Sequence, residues 1–179
     1  MNHAKRALLC AAMLSLAGCA AKVARTSDAS GLQVAIPAQS KARLVLNVAG
    51  APQAAQSKDW AAFRGEWQTA FKTEAEAAGV AFVWQEGPVK PLGQAGTLLA
   101  VDVADYRYLA PGAPSGLGVA GGNAHVNARL RYLSLADGRL FGEQMVNTSA
   151  SVRERIFSAV TEKQMQAIAR DVLRDFKRE

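Results

Sequence analysis

Apolar and polar residues alternate through ARLVLNVA, residues 42–49, with Leu44, Leu46 and Val48 on one side and Arg43 and Asn47 on the other. A period of two belongs to a strand with one face buried. The turn-rich AGAPQAAQS follows, and beyond it the period changes. Trp60, Phe63, Trp67, Phe71, Ala75 and Ala78 recur at steps of three and four, separated by Arg64, Glu66, Lys72, Glu74 and Glu76. That spacing predicts an amphipathic helix with a heavy aromatic stripe. Ser57 or Asp59 stands where an N-cap is wanted, and Gly79 takes the usual position just past the end.

Strand signals then return. Residues 80–85 (VAFVWQ) are β-prone, Gly87, Pro88, Pro91 and Gly93 predict a loop, and Thr97–Leu109 predicts a long strand. A Gly/Pro loop from Ala110 to Gly122 leads to a further strand over Asn123–Ala136. Asp137-Gly138 is a two-residue hairpin signal that returns Arg139–Ser149 antiparallel. Met165, Ile168, Ala169, Val172, Leu173 and Phe176 trace a second helical stripe, with Thr161 and Gln164 placed as a capping box. Residues 152–160 are open between strand and helix. The order β-α-β-β-β-β-α leaves two apolar stripes to be covered. It predicts an α+β fold, a mainly antiparallel sheet with two amphipathic helices packed on one face.

Several constellations invite chemistry, and most read as scaffold. Gly116, Gly118 and Gly121 spell G-x-G-x-x-G, but a dinucleotide site needs a helix after the glycines and here a strand follows. His125 has no histidine or cysteine partner with which to hold a metal. Asp102 and Asp105 fall on opposite faces of one strand unless a bulge intervenes. The stripe at 60, 63, 67 and 71 could line a ligand groove, but aromatic residues at helical spacing are core material. A two-residue turn at 137–138 puts Val126, Ala128, Leu130 and Tyr132 on one face with Phe141 and Met145. The other face then carries Asn127, Arg129, Arg131, Gln144 and Thr148. Arg129 and Arg131 are the candidate partner-binding residues; no catalytic residue, metal ligand or cofactor is expected.

Composition changes the picture at the N-terminus. Lys5 and Arg6 precede a short apolar run, Ala7 to Leu16, which ends in Leu16-Ala17-Gly18-Cys19. This is the layout of a signal peptide, too short to span a bilayer, and its ending resembles the bacterial lipobox. The resemblance implies cleavage between Gly18 and Cys19 and lipidation of Cys19. Residues 1–18 are then signal peptide, 19–41 the lipidated cysteine with a flexible tether (or, from the apolar Leu32, Val34 and Ile36, a tether plus a short leading strand over 32–36), and 42–179 a single periplasmic domain. Cleavage lowers the formal charge from +6 to +4, a small surplus without a basic run, which argues against a nucleic-acid partner. Cys10 leaves with the signal and Cys19 is capped, so disulfides, zinc-thiolate sites and cysteine nucleophiles are excluded. Ala20, in place of an aspartate after the lipidated cysteine, implies transfer to the outer membrane.

From Ala42 onward the chain resembles small Gram-negative lipoproteins grouped as a domain of unknown function. The resembling pieces are ARLVLNVA, the W/F helix ending in AAGV, AVDVADYRYL, GLGVAGGNAHVNARLRY and LADGRLFGEQ. A looser similarity extends to the curli-secretion and penicillin-binding-protein-activator lipoproteins. A resemblance in fold carries no function, but none of these pieces holds a catalytic motif, so the expectation is a non-enzymatic accessory protein of the envelope, held on the membrane through its lipid and binding an envelope protein or glycan. The alternative is an inhibitor or immunity lipoprotein directed at a toxin or lytic enzyme. Metabolic palmitate labelling checks the anchor: Cys19→Ala is expected to abolish it, and labelling that persists would place the acylation elsewhere.

Overall fold

The computed structural model describes residues 23–26, 34–108, 124–149 and 160–177. The signal segment, Gly18, Cys19 and the Gly-rich stretch 116–122 lie outside the described residues. Six strands form one mixed sheet: β1 (Val23–Thr26), β2 (Arg43–Gly50), β3 (Ala81–Trp84), β4 (Thr97–Arg107), β5 (His125–Ser134) and β6 (Leu140–Ser149). Their spatial order is β1-β6-β5-β4-β2-β3. The β1–β6, β6–β5 and β5–β4 pairs are antiparallel, and β2 runs parallel to both β3 and β4. A one-turn helix, α1 (Pro52–Ala55), precedes α2 (Trp60–Ala78), and α3 (Val160–Lys177) closes the order. The α+β class and the two long helices on one face match the sequence pattern; the parallel side of the sheet arises because α2 carries the chain back to start β3 beside β2.

The core lies between the helices and one face of the sheet. Leu44, Leu46, Val48, Leu99, Val101, Val103, Val126, Ala128 and Leu130 point into it from the strands. Phe63, Trp67 and Phe71 of α2 meet them, fully buried, and the half-buried Trp60 packs against the same cluster, so the aromatic stripe is core. Trp67 stacks on Phe71 with centroids 5.7 Å apart. From α3 come Met165, Ile168, Ala169, Val172 and Leu173. α2 ends as its sequence suggests. Gly79 is left-handed at φ 71°, its N–H donates to Glu76 O, and Val80 N–H donates to Ala75 O at 2.9 Å. These are the paired bonds of a Schellman ending, which a residue with a Cβ would strain.

The start of α2 is built differently from a simple cap. Asp59 precedes the helix but makes no side-chain bond to its N–H groups. Its carboxylate instead accepts hydrogen bonds from the Ser57 hydroxyl and, at 2.7 Å, from the Tyr106 hydroxyl on β4. Tyr106 also stacks on Phe63 with centroids 4.0 Å apart. Burial pushes the Tyr106 phenol up to about 12, with the neighbouring Asp59 charge adding to it. On Asp59 itself burial opposes the charge, and the bonds from Ser57 and Tyr106 outweigh it, holding the carboxyl below its usual range. The latch ties helix to sheet.

Three expectations are corrected. The flexible tether over 19–41 does not describe its structured part: β1 pairs with β6, Ile36 is buried, and Ala35 N–H donates to Phe141 O at 3.2 Å. Apolar Val34 and Ile36 pack on the core, so the described residues from Val34 onward belong to the body. Asn47 is not on a solvated face but 2 % exposed. Residues 85–96 cross that side of the sheet, and the Asn47 amide donates to Gln85 O and Gly87 O at 3.1 and 3.0 Å. Beneath them Val45, Leu98, Ala100, Leu133 and Leu135 form a second, smaller core. Thr161 lies inside α3 rather than ahead of it, and Gln164 sends its amide to Ala124 O at 3.3 Å, so no capping box forms from this pair.

Two outcomes follow from this packing. Trp67→Ala is expected to cost about 3–5 kcal/mol in denaturant melts. Trp67→Phe should cost far less, because it also removes an indole N–H that finds no acceptor among the described residues. Tyr106 holds its proton more tightly folded than unfolded, so its contribution is complete below pH 10 and is lost as pH rises toward about 12. Tyr106→Phe should therefore lower stability at pH 7 by about 1.5–3 kcal/mol, the worth of a hydrogen bond to a charged group, and flatten the alkaline decline. Thermal melts from pH 7 to 12 measure both.

Candidate functional site: the open face of the sheet

Where residues 85–96 leave off, the face turned away from the helices reaches water. Its side chains come from β4, β5 and β6, and their grouping depends on two irregularities. The first is a bulge on β4: the pairing steps from Val103↔Ala128 to Asp105↔Asn127, leaving Ala104 as the extra residue. It re-aims the end of the strand. Asp102 and Asp105, which regular alternation would separate, therefore share the open face, while Tyr106 turns into the core.

The second lies between β5 and β6. The hairpin is not a two-residue Asp137-Gly138 turn. Ser134 N–H donates to Arg139 O at 2.7 Å and Gly138 N–H to Ser134 O at 2.8 Å, so residues 135–138 form the loop. Gly138 supplies its left-handed position at φ 78°. A further shift near Gly142 then sets Tyr132 opposite Gly142, Leu130 opposite Gln144 and Arg129 opposite Met145. The main register differs by one residue from that of a two-residue turn, and a slip of one exchanges the faces of a strand. Gln144 and Thr148 accordingly turn inward, and Met145 turns outward beside Arg129. The inward Gln144 is satisfied: its amide donates to the Tyr132 hydroxyl, which donates in turn toward Asp175 of α3 at 3.4 Å.

Arg129 and Arg131 lie on the open face, as alternation along β5 requires. They differ in environment. Arg131 Nε donates to Asp102 Oδ2 at 2.9 Å, a pair with both members partly exposed. Such a pair contributes at most about 1 kcal/mol. Arg129 is exposed, between Asp102 on β4 and Met145 on β6. His125 Nε2 lies 2.7 Å from Asp105 Oδ2 near the strand's start. The sequence pattern singles out His125 and both aspartates but not these pairings: Arg131–Asp102 follows from the register of β4 on β5, and His125–Asp105 from the bulge. The result is an open, mixed-charge face on paired strands, its guanidinium groups carried by the backbone of β5.

A concavity lies on the helix side of the molecule. The C-terminal ends of α2 and α3 enclose a groove of about 320 Å³, floored by Ala77, Ala78 and Leu173 and rimmed by Arg174 and Lys177. Arg170 Nη2 bridges to Glu74 Oε1 across it at 2.9 Å. Nearer the helix starts, burial and the Glu162 charge raise Glu66 above the usual carboxylate range, against a hydrogen bond from Tyr108 that lowers it. Among the described residues no three His, Cys, Asp or Glu side chains converge as metal ligands, and no helix is long and apolar enough to cross a membrane.

No family model and no curated protein sequence matches the chain. Solved structures do. The PelC dodecamer of Paraburkholderia phytofirmans superposes with a TM-score of 0.52 at 16 % identity, covering 88 % of this chain and 98 % of that one. A point-substituted form of the same dodecamer gives 0.50 at 13 % identity, over 87 % and 95 %. A Xanthomonas campestris protein of the DUF330 family gives 0.45 at 12 % identity, over 76 % and 83 %. The chain is thus similar in fold to PelC, and at these identities the likeness is one of fold alone.

Proposed function

We propose that this chain is a lipid-anchored protein of the outer membrane that acts in the periplasm by binding a partner rather than by catalysis, with the Arg129 side of the open face as the contact surface. The observation that carries this is the form of that face. Paired strands hold Arg129 exposed beside Met145, flanked by the Arg131–Asp102 pair. An open surface with a guanidinium, an apolar neighbour and an ion pair suits a protein surface with exposed carboxylates. The lipobox ending at Cys19 supports the address. The similarity in fold to the PelC dodecamer makes a second copy of the chain the first partner to test.

The test uses the full-length lipidated protein as bait in outer-membrane extracts, beside sedimentation of the purified protein. Arg129→Glu is expected to weaken capture, or self-association, by roughly tenfold or more, since like charges opposed across an interface cost several kcal/mol. Its thermal midpoint should stay close to that of the parent, because the side chain is exposed. Arg131→Glu is a poorer probe, as it sets a second carboxylate against Asp102. Capture unchanged by Arg129→Glu would move the contact off this face. Capture of a foreign lytic enzyme that loses activity on binding would favour the inhibitor reading instead.

A further inference from the structure

The first strand sets how the body stands on its membrane. β1 pairs with β6 in the register Val23↔Thr148 through Thr26↔Met145, so Val23 lies where β6 ends. β4 ends at the same edge, because Arg107 pairs with His125 and His125 with Ser149. α2 and α3 both begin at this edge. Trp60 follows the end of β2 and packs on Tyr106 with centroids 5.6 Å apart, and Gln164 bonds Ala124 O. The hairpin 135–138 and the C-terminal ends of both helices lie at the other edge. α2 alone, with 19 residues, spans about 28 Å between them.

Only Ala20, Ala21 and Lys22 separate Cys19 from Val23. Four steps of chain reach at most about 14 Å even when fully extended. A lipid on Cys19 therefore holds the starting edge of β1 at the bilayer surface, while the opposite edge is beyond the stem's reach. We infer that the edge bearing Tyr108, His125 and the starts of α2 and α3 faces the anionic lipid surface, and that the hairpin edge and the groove between the helix ends point away. This rests on the lipid-anchored reading above, and it adds a fixed orientation to it.

The lipidated full-length protein offers a direct test, because its own cysteine is capped and an introduced thiol is the sole labelling site. Lys58→Cys and Lys163→Cys report the β1-start edge; Ala136→Cys and Lys177→Cys report the other; all four positions are exposed. Each variant carries a fluorophore and is reconstituted in phosphatidylethanolamine–phosphatidylglycerol vesicles containing a headgroup-linked nitroxide quencher. Quenching is expected to be several-fold stronger at 58 and 163 than at 136 and 177. A long glycine-serine insert between Lys22 and Val23 should erase the contrast. Equal quenching at all four positions without the insert means that the body lies flat, and overturns the orientation while leaving the anchor intact. A contrast that survives the insert overturns the short stem as its cause. Absence of palmitate on the parent protein overturns both readings together.

Discussion

Side chains alternate along a strand, so the pairing of β5 with β4 on one side and β6 on the other decides which residues of three strands are dry and which are wet. Val126, Ala128, Leu130 and Tyr132 take the helix side, where α2 and α3 cover them. Asn127, Arg129 and Arg131 then have no choice of face. Their neighbours are fixed by two local devices, the bulge at Ala104 and the loop 135–138 with its shift near Gly142. Remove either and the open face becomes a different surface. Asp105 would leave His125, or Gln144 would replace Met145 beside Arg129.

The elements themselves were legible because each carries its own period. The aromatic stripe of α2, the Gly79 ending and the alternation of β2 and β5 are local signals, and local chemistry realises them. Pairing is not local. A glycine after an aspartate reads as a tight turn, yet here Gly138 closes a four-residue loop, and nothing in Asp137-Gly138 separates the two. The same holds for Asn47. Its polar side chain suggests water, and only the path of residues 85–96 over the sheet gives its amide two carbonyl partners. Arg129 and Arg131 were legible as facing outward; that Arg131 is paired and Arg129 exposed was not, since the pairing needs Asp102 from another strand.

A buried donor or acceptor is costly without a partner, and two groups of core polar side chains meet that demand, although the Trp67 indole N–H does not. Tyr132, Gln144 and Asp175 meet between sheet and α3, one from each of three elements. The set ties the register of β6 to the position of α3, because a shift of either leaves the Tyr132 hydroxyl without its partner there. The Asp59–Tyr106 latch does similar work at the start of α2, joining helix to strand through a carboxylate kept charged and a phenol kept neutral. Electrostatics and packing reinforce each other there, since Tyr106 is also a stacking partner of Phe63.

The pairing of β1 with β6 joins Val23 to Thr148, residues far apart along the chain. Contacts of such long sequence separation form late, after the loop between them has closed. A chain made from its amino-terminal end holds β1 before its partner strand exists. Only when β6 arrives is the stem drawn in and the sheet edge sealed. Topology alone thus delays the closing of this edge until almost the whole sheet has been made.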